Sequence, residues 1–252
     1  MLKNVPKKIA HRVSKTTKVA LQKTFVYPLQ FYKHHTLSFS QEGEDRMLAR
    51  LFERKEKGFY IDVGAHHPQL FSNTYLFYLM GWRGINIDAM PGSMDAFNEI
   101  RPDDINLEYA IAEQEDELTY YMFSNSAYNG FSKELSERRD GLRGVVKLVS
   151  QKAIKTHRLS ELLDKYLPES TSIDFMSIDV EGLDYQVLLS NNWGKYRPKV
   201  ILLEELGFDL TKSFETSKSC AFLKVQGYRL FAKTMNTVFY VLEENLEAKA
   251  FI

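Results

Sequence analysis

The sequence holds a single cysteine, Cys220, among 252 residues. One thiol excludes an internal disulfide framework and every metal site built on several cysteines, and it fits a reducing compartment such as the cytoplasm. No stretch approaches the roughly 20 apolar residues that span a bilayer, and no compact apolar segment near the start has the form of a secretion signal. The body of the chain is therefore expected to be soluble. The dinucleotide fingerprint G-x-G-x-x-G is absent, which argues against a nicotinamide oxidoreductase. Acids are missing from the first 41 residues, which carry eight basic ones (Lys3, Lys7, Lys8, Arg12, Lys15, Lys18, Lys23 and Lys33).

What is present is ordinary for a globular chain, with 44% hydrophobic and 26% charged residues. The length suits one large domain with an appendage. Removing the eight basic residues of the head from totals of 33 basic and 33 acidic leaves 25 and 33 in residues 42–252, so the formal net charge of zero divides into +8 and −8. Val5, Ile9, Val13, Ala20 and Leu21 recur at near-helical spacing among the lysines. Residues 1–37 thus read as a basic amphipathic helical extension able to lie on an anionic membrane, or as a solvated lead-in or a helix docked on the acidic body. Residues 38–252 read as the folded domain.

Along that domain, helical stripes and short apolar runs alternate. Ser40 precedes Glu42, Glu44 and Asp45 and the apolar stripe Met47, Leu48, Leu51 and Phe52, which predicts a helix capped by Ser40. Strands are predicted over 59–64, 84–88 and 105–111, with helices over 73–80 and 93–99 between them. The alternation then breaks: a strand over 118–123, a long polar loop over 124–144, and a segment 145–149 pairing back on 118–123 as a hairpin-like insertion. A helix from Ser160, a strand over 173–179, a helix over 182–190, a strand over 199–204 and a helix over 214–225 follow. Strands over 228–233 and 238–242 stand so close together that they must be antiparallel neighbours. The order predicts an α/β fold with a doubly wound, mostly parallel, Rossmann-like sheet that binds its ligand beyond the carboxyl ends of the strands. Trp82, just before a buried strand, is assigned to packing.

Acids stand at the ends of four predicted strands: Asp62, Asp88, Asp179 and the pair Glu204–Glu205. In a parallel sheet these face one rim, where a set of carboxylates marks a site. The first turn, Asp62-Val63-Gly64-Ala65-His66, offers one glycine for close backbone passage and an acid that would repel a pyrophosphate. Asp88 is placed to take the two hydroxyls of a ribose. A nucleoside with a positive centre and no pyrophosphate suits both acids, and S-adenosylmethionine meets that description.

Residues 38–205 resemble the FkbM-type branch of the class I S-adenosylmethionine-dependent methyltransferases. The matching stretches are Ser40-Gln41-Glu42-Gly43-Glu44-Asp45, residues 59–68, Ser72-Asn73-Thr74, residues 81–88, Ile178-Asp179-Val180-Glu181-Gly182 and residues 197–204. The resemblance implies a seven-stranded sheet with an antiparallel final strand pair. It also implies O-methylation of a sugar, a glycan or a related metabolite. By the same resemblance Gln41 contacts the cofactor, Asp62 and Gly64 line its methionine end, Asp88 holds the ribose, and residues near Ala110 and Ile111 flank the adenine. The segment 1–37 and the loop 124–144 inherit no role from it.

A sugar hydroxyl needs a base or a metal to take up its proton before it attacks a methyl group. Asp179, Glu181 and Glu204 are the candidate catalytic acids, with His67, of the pair His66–His67, as a further candidate base. Asp179 and Glu204 could also ligate Mg²⁺ or a similar hard cation. The expected partners are a small-molecule or glycan acceptor, no nucleic acid, and an anionic membrane touched peripherally through residues 1–37 at its inner face. A metal-dependent hydrolase using His66, His67, Asp179 and Glu204, and a non-catalytic membrane-docked binding protein on the same scaffold, are the alternatives. If the head binds lipid, the full chain should co-sediment with acidic vesicles and be released by salt. A chain begun at Thr36 should stay in the supernatant, and equal sedimentation of the two would remove the membrane role.

Overall fold

The computed structural model describes residues 36–211 and 216–247, without the side chains of 246 and 247. The basic helix expected in residues 1–37 falls, up to residue 35, outside them. Strand β1 (Phe59–Val63) lies in a seven-stranded sheet between β2 (Arg83–Asp88) and β7 (Phe175–Ile178), parallel to both. Beyond β2 lies β3 (Ile105–Glu108), and beyond β7 lies β8 (Val200–Glu204). The last strand, β10 (Thr237–Leu242), inserts antiparallel between β8 and β9 (Tyr228–Lys233). Strand order therefore reverses between β1 and β7, the point at which open α/β sheets form their ligand crevice. Among the described residues no helix is long and apolar enough to cross a membrane.

The alternation of side chains along each strand divides the core. Ile61, Val63, Met176, Ile178, Ile201 and Leu203 pack on one face with helices α5 (Leu159–Tyr166), α6 (Asp184–Ser190) and α7 (Lys218–Val225). Tyr60, Phe175, Val200 and Leu202 pack on the other with α1 (Glu44–Leu51) and α2 (Tyr75–Met80). Trp82 is buried there against Phe52, Phe77 and Phe175, as packing requires. One step further along this second face the residues turn polar: Asn86, Asp62 and Ser177 stand side by side in register. This polar row leads to the carboxyl rim.

Several expectations are refined. Gly43, in the left-handed region (φ 89°), occupies the N-cap position of helix α1, while Ser40 Oγ accepts from the first-turn N–H of Asp45 (3.3 Å). Ser40 Oγ also donates to the Asp45 carboxylate (3.0 Å), which accepts from Ser38 Oγ and Phe39 N as well and so closes the 38–45 turn. The strand predicted over 105–111 divides: Tyr109 N makes the last bond to β2, at Asp88 O (3.0 Å), and the next residues pair with a different strand. Ala110–Ile111 becomes β4 of a three-stranded sheet with β5 (Glu117–Phe123) and β6 (Leu148–His157). The hairpin-like insertion forms, but its second strand starts at Leu148 and runs to His157, because this outer strand buries little beyond Thr156 and lacks an apolar signature. The polar loop between carries helix α4 (Lys133–Arg139), capped by Ser132. The helix predicted over 214–225 starts, among described residues, with the Ser217 cap and Lys218, residues 212–215 lying outside them. Helix α3 (Ser93–Ile100) follows β2 as expected, and a short α8 (Glu243–Glu247) ends the described chain.

Candidate active site

A cavity of about 460 Å³ opens at the carboxyl ends of β1, β2, β7 and β8, within the range of small-molecule sites. Among the described residues, seven carboxylates line it (Glu42, Glu44, Asp62, Asp88, Asp179, Glu181 and Glu204) against one guanidinium, that of Arg139. Such a field attracts cations and repels phosphate. Gly64 makes the crevice possible. Its φ is +84°, and a Cβ there would lie 1.7 Å from the carbonyl oxygen of Asp179, so only glycine lets the β1 turn touch the end of β7.

Asp88 organises the turns around it. Its Oδ2 accepts from His66 N and its Oδ1 from Met90 N, both at 2.8 Å. Burial raises its pKa, and those two backbone bonds oppose the rise. Asp62 is buried beside the polar row and accepts from Thr74 Oγ1 at 2.7 Å. Burial pushes its carboxyl up to about 6, against the opposing effects of the Thr74 bond and of Arg101. Gln41 and Glu42 reach the rim from the segment before α1, which is tied to the β9–β10 turn: Asn236 N donates to Glu42 (2.9 Å), and the hydroxyls of Thr234 and Thr237 donate to Glu44.

Across the crevice, Asp179, Glu181 and Glu204 converge, with one oxygen from each lying within 4.8 Å of the others. Burial, and then the charge of Glu204, hold Asp179 well above the usual carboxylate range, and the two side chains are hydrogen-bonded. Burial, then the charges of Glu181 and Asp184, push Glu204 up to about 8. This pair therefore keeps a proton at neutral pH. Glu181 is ion-paired with Arg139 of α4. Its backbone is left-handed (φ 55°), and Asp184 holds that turn by accepting from Val180 N and Gly182 N, each at 3.1 Å.

The insertion supplies one wall. Gly130 sits so close to Glu181 that a Cβ there would lie 3.0 Å from Glu181 Cβ, and Ser126 Oγ bonds His66 Nε2 at 3.0 Å. Of the five left-handed non-glycine residues among those described, three, His66, Phe71 and Glu181, line this cavity. Backbone strain of this kind gathers at functional sites.

Of the residues singled out in the sequence, Gln41, Asp62, Gly64, Asp88, Ile111, Asp179, Glu181 and Glu204 all line the cavity. His67 does not. Its Nδ1 accepts from Gln69 N (3.1 Å) and Leu70 N (3.0 Å), so the ring closes a turn while the left-handed neighbour His66 faces the cavity. Ala110 is buried away from the lining, and Tyr109 joins Ile111 there instead. Glu205 is engaged by Ser217 and Tyr240. Asn73, Asp184 and Arg139 were not legible as site residues. Only the spacing of Asp184 behind Asp179-Val180-Glu181-Gly182, a side chain returning to the turn just before it, offered a signal.

A Rossmann-like sheet with this strand order and a cation-attracting crevice at its switch point defines the methyltransferase class. The model of the methyltransferase FkbM domain matches residues 62–230, two thirds of the chain, and the chain belongs to that family. No curated protein matches the sequence. Among solved structures, a Pyrococcus horikoshii protein described as a candidate RNA methyltransferase is similar at 12% identity, covering 91% of this chain and 99% of its own, with a TM-score of 0.39.

The close approach at Gly64 can be measured. Gly92 is also left-handed (φ +80°) but has open space where a Cβ would sit. Gly92→Ala should cost only the left-handed term, about 1–2 kcal/mol. Gly64→Ala adds a clash with backbone and should cost about 2–5 kcal/mol in urea unfolding. Equal losses would mean that the β1 and β7 ends separate without penalty.

Proposed function

We propose that the chain transfers a methyl group from S-adenosylmethionine to a hydroxyl of a sugar, a glycan or a related metabolite. The observation that carries this reading is the division of one acidic cavity into two unlike halves. One half holds Asp62, on strand β1, and Asp88, clasped by the backbone of two turns, and the other holds the converging carboxyls of Asp179, Glu181 and Glu204.

The donor set fits the cofactor. After accepting from His66 N and Met90 N, each Asp88 oxygen keeps acceptor capacity for one of two ribose hydroxyls. Asp62 offers negative charge to an ammonium or sulfonium group, Tyr109 and Ile111 offer surface to adenine, and Gln41 closes the rim. The cofactor, when bound, supplies a methyl group made electrophilic by its sulfonium. The remaining work falls to side chains. Asp179 donates its proton toward Glu204, and Glu204, in the ionised form that grows as the pH nears about 8, accepts the proton of the acceptor hydroxyl. Arg139 balances Glu181 and fixes the wall against which the acceptor is oriented. The same three converging oxygens also suit Mg²⁺ or another hard cation, a second reading in which the cation replaces the shared proton.

Asp179→Asn and Glu204→Gln should each lower turnover by about 10²–10⁴, with cofactor affinity nearly unchanged. Wild-type turnover in both variants would exclude the acidic pair. Turnover undiminished in EDTA leaves the shared proton, whereas loss restored by Mg²⁺ assigns the cation. For the ribose clamp, Asp88→Asn keeps one acceptor oxygen for the surrounding turns but removes the charge. It should weaken S-adenosylmethionine binding about tenfold, or 1.4 kcal/mol, and unchanged affinity by calorimetry would remove the role.

A further inference from the structure

Behind Asp62, on the side away from the cavity, lies a buried charge that the reaction does not use. Arg101 is fully buried at the end of α3 and does not line the cavity. Its Nε and Nη2 hold Asp104 at 2.9 Å, and Nη2 also donates to Tyr60 OH at 2.8 Å. Asp104 is well supplied without further help, since it accepts from Gly84 N (2.9 Å), Asn86 Nδ2 (3.1 Å) and Tyr60 OH (2.7 Å) as well. The guanidinium is clamped flat among the rings of Tyr60, Tyr78 and Phe97, at 5.4–5.5 Å. That leaves Nη1, which points toward the site and donates to Thr74 Oγ1 at 3.0 Å, with longer contacts to Pro68 O and Ser72 Oγ.

The direction of the next bond follows from the chemistry of its ends. A guanidinium can only donate and a carboxylate accepts, so the Thr74 hydroxyl takes a proton contact from Arg101 and passes its own to Asp62 Oδ2 at 2.7 Å. A charged donor at the head of such a chain polarises the hydroxyl and strengthens the bond it makes. We infer that Arg101 is a positioning residue for Asp62, acting through Thr74 to hold one carboxylate oxygen toward the cation that the cavity receives. This rests on the S-adenosylmethionine reading given above.

The charged groups around Asp62 are few. Arg101 favours its ionised form, and Asp88 and Asp104 oppose it. Its in-register neighbours Asn86 and Ser177 are neutral. Protonating Asp62 removes the charge that attracts a cation, so affinity should fall as the pH drops through about 6. Cutting the relay should move that fall toward neutral pH, because the ionised form loses its donor.

Thr74→Val deletes the hydroxyl with little change of shape, and Thr74 makes no capping bond that α2 would lose. Arg101→Lys keeps the charge but loses the fork and serves as a second variant. Calorimetry with S-adenosylmethionine on the full chain should show Thr74→Val weakened about tenfold near pH 6 yet close to wild type near pH 9, where Asp62 is ionised in both. In an Asp62→Asn background the same substitution should change nothing further. A loss of equal size at every pH, or a profile identical to wild type, would overturn the inference. Failure of the wild-type chain to bind S-adenosylmethionine would instead overturn the reading of function. The relay is then judged by carboxyl ¹³C titration of Asp62 in unliganded protein, where an unmoved midpoint in Thr74→Val refutes it and an upward shift supports it.

Discussion

The packing of β1 between two parallel neighbours is the constraint on which the rest depends. Because Asp62 stands in register with Asn86 and Ser177, one polar row runs across the sheet beneath the crevice, inside a core otherwise built of Tyr60, Phe77, Trp82 and Phe175. A buried polar row is tolerated only if each member finds a partner. Ser177 accepts from Asn73, Asp62 from Thr74, and Asn86 donates to Asp104 and Asn106. The loop that follows β1 and the one that leads into β3 are therefore held by the same bonds that satisfy the row. Removing one charge of the Arg101–Asp104 pair would leave the other buried and unpaired, a loss of about 3–5 kcal/mol in comparable cases.

Gathering seven carboxylates around one cavity works against the stability of the empty protein. Burial raises the folded-state pKa of Asp62 to about 6 and of Glu204 to about 8, above their ordinary carboxylate values. The folded chain then holds more protons than the unfolded one between those values, so these groups withdraw stability as the pH rises from about 4 to about 8. Backbone donors to Asp88 and Asp184, and the Arg139 ion pair at Glu181, offset part of that loss. A bound cation would offset more, which links ligand charge to the stability of the site.

Much of this was legible in the sequence because strand ends are legible. Short apolar runs closing on Asp62, Asp88, Asp179 and Glu204 fix both the strand and the rim that its last side chain reaches. What was not legible depended on single backbone torsions or on distant burial. Whether His66 or His67 faces the cavity turns on the left-handed conformation of His66, which no periodicity encodes. The split between β3 and β4 turns on Ala110 and Ile111 leaving β2 to pair with Thr156 and His157, far along the chain. Nothing in Arg101-Pro102-Asp103-Asp104 marks which of its charges goes inside: Arg101 and Asp104 are buried while Asp103 stays outside, paired with Arg83.

The two halves of the cavity are built with different rigidity. The half around Asp62 and Asp88 is set by parallel strands, by Gly64 against Asp179, and by a buried ionic cluster, none of which can shift alone. The other half meets the insertion, which reaches Glu181 and Gly182 through the Arg139 ion pair and the approach of Gly130 and Ser132, and touches the turns beside Asp88 through Ser126 to His66 and Asn129 to the Met90 sulfur. Few bonds, drawn from a segment outside the main sheet, make a wall that can change shape or sequence without disturbing the strand ends. A fixed half suits a ligand that every turnover shares, and a wall hung on a few side chains suits the partner by which one such enzyme differs from another. If the chain methylates a hydroxyl acceptor as proposed, the residues that choose it are to be sought in 124–144 rather than along the rim of the sheet.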